Sequence, residues 1–294
     1  MRPLRTAYKV DINEQLAYGP ALVKQAVQSR VGRLMNGPPH QAEGVIISLT
    51  SFPERLPKLH NCIHSLLNQS VRAEKIILYL THEECNEDSI PSHLRRLQSK
   101  GLEIRFVDKN ARSLNKICHA LTDFPDKTII TCDDDKLYPL NMLERLISTA
   151  KAYPHCIVCN RSRRIVFDAD GKPIPYKEWP ACELVGPSSE ILPMGVGGIL
   201  YPAGSLHPNV LDIDLYMRLS ATSDDLWLKI MSLRQGTQCV QVNPKRSAYP
   251  SIPFWQGQKL SPANIWKGGN DQNLASLLAH FDIDLAKQIR DNER

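Results

Sequence analysis

Three consecutive acids, Asp133, Asp134 and Asp135, stand in the segment "TIITCDDDKLYP". The apolar, β-branched run before them reads as a buried strand. On an extended backbone Asp133 and Asp135 point one way and Asp134 the other. Two convergent carboxylates repel unless a cation lies between them. Mg²⁺ or Mn²⁺ fits that need: these ions accept one or two carboxylates and complete their shell with water and phosphate oxygens. A metal so held neutralises a diphosphate and helps it leave. The plain alternative is that the acids cap a helix or shape a turn.

A second acid pair, Asp224 and Asp225, opens the segment "DDLWLKIMSLRQG", which reads as a helix stopped by Gly236. Acids at a helix start are favoured by the dipole whatever their role, and Thr222 or Ser223 would cap it. The chemical reading is a general base that takes a proton from an attacking hydroxyl. Three candidate cations precede the first acid group in the chain. Arg55, Arg112 and Lys116 would meet phosphate, and Thr50 and Ser51 in "SLTSFPER" would hydrogen-bond a nucleotide. For each cation the alternative is a solvated surface position. "NRSRR" ends a strand-like run and offers Arg161. "GVGGILYPAGSL" offers Gly195, Gly197 and Gly198, where the absence of a Cβ permits close backbone approach to a ligand or a tight corner.

These groups need a scaffold. From Gly44, apolar runs alternate with amphipathic stretches: "VIISLT", "KIILYL", "LEIRFV" and "KTIITC" read as strands. The intervening segments, including "IPSHLRRLQSKG", and "PLNMLERLISTAKAY" after the last strand read as helices. That order predicts an α/β fold with a mostly parallel central sheet, helices on both faces and crossovers of one hand. After Pro154 the rhythm becomes irregular. "CIVCNRSRRIVFD" reads as a strand or hairpin, a proline-rich stretch follows, and "TQCVQV" reads as a strand. In such sheets ligands bind at the carboxyl ends of strands, which is where the acids fall. Residues 1–43 read as a helical extension before a catalytic domain at 44–294. Val23, Val27, Val31 and Leu34 make an apolar stripe with Lys24, Arg30 and Arg33 among the polar positions. It would dock on the domain or touch a membrane surface.

Composition excludes some classes. The 294-residue chain carries a formal charge of +5, too small and too evenly spread to indicate nucleic acid. The start lacks an apolar export segment and no run approaches the roughly 18 to 20 apolar residues of a membrane span. The expectation is a cytoplasmic protein, in peripheral contact with the inner membrane at most. Its eight cysteines would be reduced. Cys156 and Cys159 have zinc-knuckle spacing, but on a strand they point to opposite faces and have no second pair. No Gly-x-Gly-x-x-Gly fingerprint or Walker loop is present.

The segments "SLTSFPERL", "SLNKICHALTDFPDKTIITCDDDKLYP", "GVGGILYPAGSL", "SDDLWLK" and "NDQNLASLL" resemble, in this order, bacterial family-2-like glycosyltransferases of polysaccharide biosynthesis clusters, with the glycosyltransferase-A fold. The resemblance spans most of residues 44–280. It implies a nucleotide-diphosphate sugar donor, with a uridine nucleotide as the guess, and a glycan or lipid-linked acceptor. It implies Mn²⁺ or Mg²⁺ bridging Asp133 and Asp135 to the diphosphate. Asp134 then joins the donor residues, and Gly197, Gly198 and Arg161 form the sugar and acceptor subsite. Asp225 becomes the preferred base of an inverting transfer, with Asp224 second. Trp255, Trp266, Lys267, Asn270 and Asp271 follow near the end, the last two read as helix caps and His280 as structural. A haloacid-dehalogenase-type phosphatase also carries Asp-x-Asp after a strand. It does so on the first strand, with Thr or Val where this chain has Leu137. A non-catalytic glycan-binding or scaffold protein on the same fold is the other alternative.

Overall fold

The Val-, Ile- and Leu-rich runs form strands whose alternate residues enter two different layers. The computed structural model describes residues 18–24, 27, 39–243, 249–252 and 268–293. Its strands are β1 (His40–Thr50), β2 (Val71–Thr81), β3 (Leu102–Val107), β4 (Thr128–Thr131) and β5 (Ile157–Cys159). There follow β6 (Ser162–Arg164), β7 (Ile191–Pro193), β8 (Ile199–Tyr201) and β9 (Cys239–Gln241). The main helices are α1 (Leu56–Leu67), α2 (Asn115–Asp123), α3 (Met142–Ala152), α4 (Ile213–Leu219), α5 (Asp224–Gln235), α6 (Gly269–Phe281) and α7 (Leu285–Asn292).

A seven-stranded sheet runs in the order β3-β2-β1-β4-β8-β5-β9. Only β8 runs against its neighbours, β4 and β5. The fold is thus α/β with a mixed, mostly parallel sheet. Ile47, Leu49 and Ile130 pack with Leu59 and Ile63 of α1 and Leu143 and Leu146 of α3. Ile46, Ile77 and Ile129 turn to the opposite layer and meet Ala120 of α2. Beyond them, α5 is buried along most of its length among Ile157, Ile199 and Tyr201. Strands β6 and β7 pair in a separate two-stranded sheet that carries the elaborated half.

Several details depart from the sequence reading. β1 begins at His40, ahead of the boundary expected at Gly44. The register shifts between Ala42 and Ile46, and Gly44 takes φ 76° where its N–H donates to Glu74 at 2.7 Å. Residues 18–24 are helical, but Val23 and Val27 are 65% and 54% exposed. Tyr18, Ala21 and Leu22 face the core instead, at the same helical spacing. Residues 28–36, with the rest of that stripe, lie outside the described residues, as do Trp255, Trp266 and Lys267. The single helix expected over 90–101 is a short turn, Ser92–Arg95, and a 3₁₀ turn, Gln98–Lys100. The expected strand from Cys156 breaks at Asn160, whose side chain donates to Gly197 O at 3.0 Å, so β5 and β6 join different sheets. Ser223 caps α5 by position only; its side chain makes no cap hydrogen bond.

All eight cysteines are buried free thiols. Among the described residues no helix is long and apolar enough to cross a membrane. Lys229 of α5 is 3% exposed, with its Nζ 3.8 Å from the Cys239 thiol. Burial pushes its pKa down. The unfolded chain therefore holds that proton more firmly, and the penalty is lost as pH rises towards the ordinary lysine value. Lys229→Met should raise the unfolding free energy by about 1 kcal/mol near neutral pH and by less near pH 10. Denaturant unfolding at both pH values checks this; a variant less stable at both would show the amine to be favourably placed.

Candidate active site

The acids follow β4, which lies at the middle of the sheet next to the antiparallel insertion β8. The extended backbone ends at Thr131, and Asp134 and Asp135 lie in a turn. The strand-like alternation expected for the triplet therefore fails. Buried Tyr138 pins the start of the turn: its hydroxyl accepts the Asp133 N–H at 2.7 Å. The end is pinned by Ile252 N–H donating to Asp135 O at 2.7 Å and by Leu137 N–H donating to Pro250 O at 3.0 Å. The outcome is that Asp134 and Asp135 share Arg55, while Asp133 turns to Lys116.

The first group gathers where β1 ends. Thr50 Oγ1 donates to Tyr79 O at 2.9 Å, across to β2. Ser51 Oγ donates to Asp134 Oδ2 at 2.6 Å, and Arg55 pairs with Asp134 Oδ1. Asp135 lies 3.8 Å from the same guanidinium. Asp134 is buried, which pushes its pKa up to about 6, although Arg55 opposes the shift. The side chains of Thr50, Ser51 and Asp134 are thus engaged inside the protein, and Asp134 holds Arg55 beside the more open Asp135.

The second group surrounds Lys116. Its Nζ lies 2.7 Å from Asp133 Oδ1 and 3.0 Å from Asp224 Oδ2, with the side chain 7% exposed. Burial alone would push this ammonium down. Asp133, Asp224 and Asp225 hold its pKa well above the ordinary lysine value. Asp133 is driven up by burial but, with Lys116 outweighing that, its pKa ends below the usual carboxylate range. Asp225, at the start of α5, accepts the Gly195 N–H at 3.1 Å. Burial and the neighbouring Asp224 push its pKa up to about 8, against the pull of Lys116.

Gly195 sits between the two acid pairs. A Cβ there would lie 3.1 Å from Lys116 Nζ, 3.2 Å from Asp133 Oδ1 and 3.5 Å from Asp225 Oδ1. At Gly197 a Cβ would lie 3.0 Å from the Cβ of Arg161. Gly198 takes φ 80°, and a Cβ there would lie 3.3 Å from Met142 Sδ. Arg161 is exposed, with its Cβ and backbone N against Gly197, and Arg163 lies over the Tyr176 ring. Arg112 is exposed at the mouth of α2, with φ 52° and its N–H bound to Asn110 Oδ1 at 2.9 Å. Asp271 accepts the Tyr176 N–H at 2.7 Å and ties α6 to that loop. Tyr138 and Asn160 escaped the sequence reading because an aromatic in an apolar run and an asparagine after a strand carry no chemical signal of their own.

Among the described residues no three His, Cys, Asp or Glu side chains come together as a metal cage. A divalent ion that arrives with a diphosphate needs only one or two carboxylates. The donor set fits that case. The Asp135 carboxylate makes no hydrogen bond among the described residues. With Asp225 protonated, Asp133, Asp134, Asp135 and Asp224 exceed Arg55, Lys116 and Lys136 by one charge. A cavity of about 10 Å³ below Asp225 is lined by Lys229, Tyr201 and Cys239 and holds one water at most.

No protein-family model matches the chain, and no curated protein matches it. Among solved structures, S. aureus TarS 1–349 in complex with UDP-GlcNAc is similar at 12% identity over 85% of this chain and 71% of that one, with a TM-score of 0.48. A second structure of TarS 1–349 gives 13%, 82%, 71% and 0.43. A 4-diphosphocytidyl-2C-methyl-D-erythritol synthase gives 10%, 76%, 96% and 0.44. Likenesses this distant say nothing of what the chain does.

Removing Arg55 would leave Asp134 buried without its cation. Arg55→Met should cost about 3 kcal/mol of stability at pH 8. The folded pKa of Asp134 would rise further above its unfolded value, so the deficit grows as pH rises through about 6 and shrinks towards pH 5. Unfolding at pH 5 and pH 8 measures this, and a pH-independent deficit would contradict it.

Proposed function

We propose that this chain is a glycosyltransferase that moves a sugar from a nucleoside-diphosphate donor to a hydroxyl of a glycan or lipid-linked acceptor, with inversion. One observation carries the reading. Two carboxylate sites flank Gly195 in different settings: Asp133 is paired with Lys116 at 2.7 Å, which keeps its pKa below the usual range, and Asp225 accepts the Gly195 N–H at 3.1 Å, with burial and Asp224 pushing its pKa up to about 8. Such separation assigns an electrostatic role to the first and proton transfer to the second.

In this account the diphosphate lies over Asp133 and Asp135, with Arg55 beside them. Asp133 and Asp135, which the turn directs towards Lys116 and Arg55, would hold Mn²⁺ or Mg²⁺ singly or together, and the ion would offset the charge that builds on the departing diphosphate. The glycine turn leaves room for the sugar between the acids. Asp225 Oδ takes the proton of the acceptor hydroxyl. The oxygen forms a bond to the anomeric carbon as the carbon–oxygen bond to the diphosphate breaks on the opposite face, and that electron pair leaves with the nucleoside diphosphate. The Gly195 N–H fixes the carboxylate that does this. Arg161 and Arg112, both exposed, would meet acceptor and donor groups as they enter.

The base is mostly protonated at pH 7. Turnover should therefore rise about tenfold per pH unit below 8 and level off above it. Asp225→Asn should keep nucleotide affinity within about twofold and lower turnover at least about a hundredfold, with the pH dependence abolished. Release of nucleoside diphosphate from a panel of donors and acceptors, measured from pH 6 to pH 9, tests this. Undiminished turnover in the variant would move the base elsewhere.

A further inference from the structure

We propose that Lys116 is a positioning residue: it competes with a divalent cation for Asp133 and, once displaced, braces the acid pair that carries the base. This rests on the reading of Asp133 as a cation ligand.

The geometry around Nζ is asymmetric. The contact with Asp133 is an aligned hydrogen bond at 2.7 Å. The contact with Asp224 is as close as 3.0 Å, yet Asp224 Oδ2 is a buried oxygen without a hydrogen bond. The ammonium is thus committed to Asp133 and only within reach of Asp224. The start of its helix is fixed: Asn115 Oδ1 accepts the Ala111 N–H at 2.8 Å, and Arg112, with φ 52°, closes the turn before α2. The ammonium passes under Gly195, where a Cβ would stand 3.1 Å from Nζ.

An ammonium and a dication on one carboxylate would repel, and the Lys116 side chain, 7% exposed, would be poorly screened by solvent. Loading Asp133 therefore turns Lys116 towards Asp224, where an unsatisfied oxygen waits. The move is small and keeps the ammonium paired throughout, as its burial demands. It ties donor loading to base placement, because Asp224 and Asp225 share the first turn of α5. The donor with its cation should then load before the acceptor.

The test uses the full chain without nucleotide and Mn²⁺ alone as probe, with free Mn²⁺ read by electron paramagnetic resonance. Lys116→Met should bind Mn²⁺ about tenfold more tightly than wild type. Lys136→Met removes an equal charge that also acts on Asp133, but Lys136 hydrogen-bonds Ser251 rather than Asp133. Its gain should be smaller by several-fold. If Lys116→Met does not fold, Asp224→Asn reads the same competition with the opposite sign. Without its second partner Lys116 holds Asp133 harder, and Mn²⁺ affinity should fall more than in Asp225→Asn. Equal shifts within each pair would overturn the competition while leaving Asp133 as a ligand. No Mn²⁺ binding in wild type or any variant would remove the cation reading and this inference together.

Discussion

A buried ammonium is among the costlier groups a protein can hold, and it persists only with carboxylates against it. Lys116 has them on two sides. Asp133 reaches it from the end of β4 and Asp224 from the start of α5. Those elements are far apart in the chain and arise from its regular and its elaborated halves. The ion pair therefore fixes where the two halves meet. It also explains why residue 195 is a glycine: the turn after β7 must pass over the ammonium without a side chain.

The same interaction sorts the acids. Five carboxylates crowd one edge of the sheet, and they are not equivalent. Asp133 is kept ionised by Lys116. Asp134 is spent on Ser51 and Arg55 inside the protein. Asp135 stays at the surface of the site beside the same arginine. Asp225 is left with the weakest compensation and retains its proton to about pH 8. The proposed diphosphate-handling and proton-handling sides rest on this partition, and the number of acids alone would not suggest them.

Much of this was legible in the residues. The alternation of apolar strands with amphipathic helices up to Ala152 sets the sheet and puts "CDDD" at a strand's carboxyl end. The helix of Asp224 and Asp225 was legible from its acids and its terminal Gly236. What escaped has identifiable causes. The three-residue strands β5 to β8 are too short to show a period, and β8 inserts against the direction of its neighbours. The triplet did not alternate because Tyr138 and Ile252, distant in sequence from one another, bend it into a turn. Lys116 was read as a phosphate contact. Its role as the joint between two carboxylate sites depends on the fold bringing α5 beside α2, which no local pattern encodes.

The most direct measurement is calorimetric titration of a panel of nucleoside diphosphates, with and without Mn²⁺, into wild type and Asp135→Ala. The account predicts that one nucleoside diphosphate binds only with the metal and that the variant loses this binding while remaining folded. Binding that ignores both the metal and Asp135, or no binding of any nucleotide by wild type, would contradict it and leave the acid triplet as a structural turn.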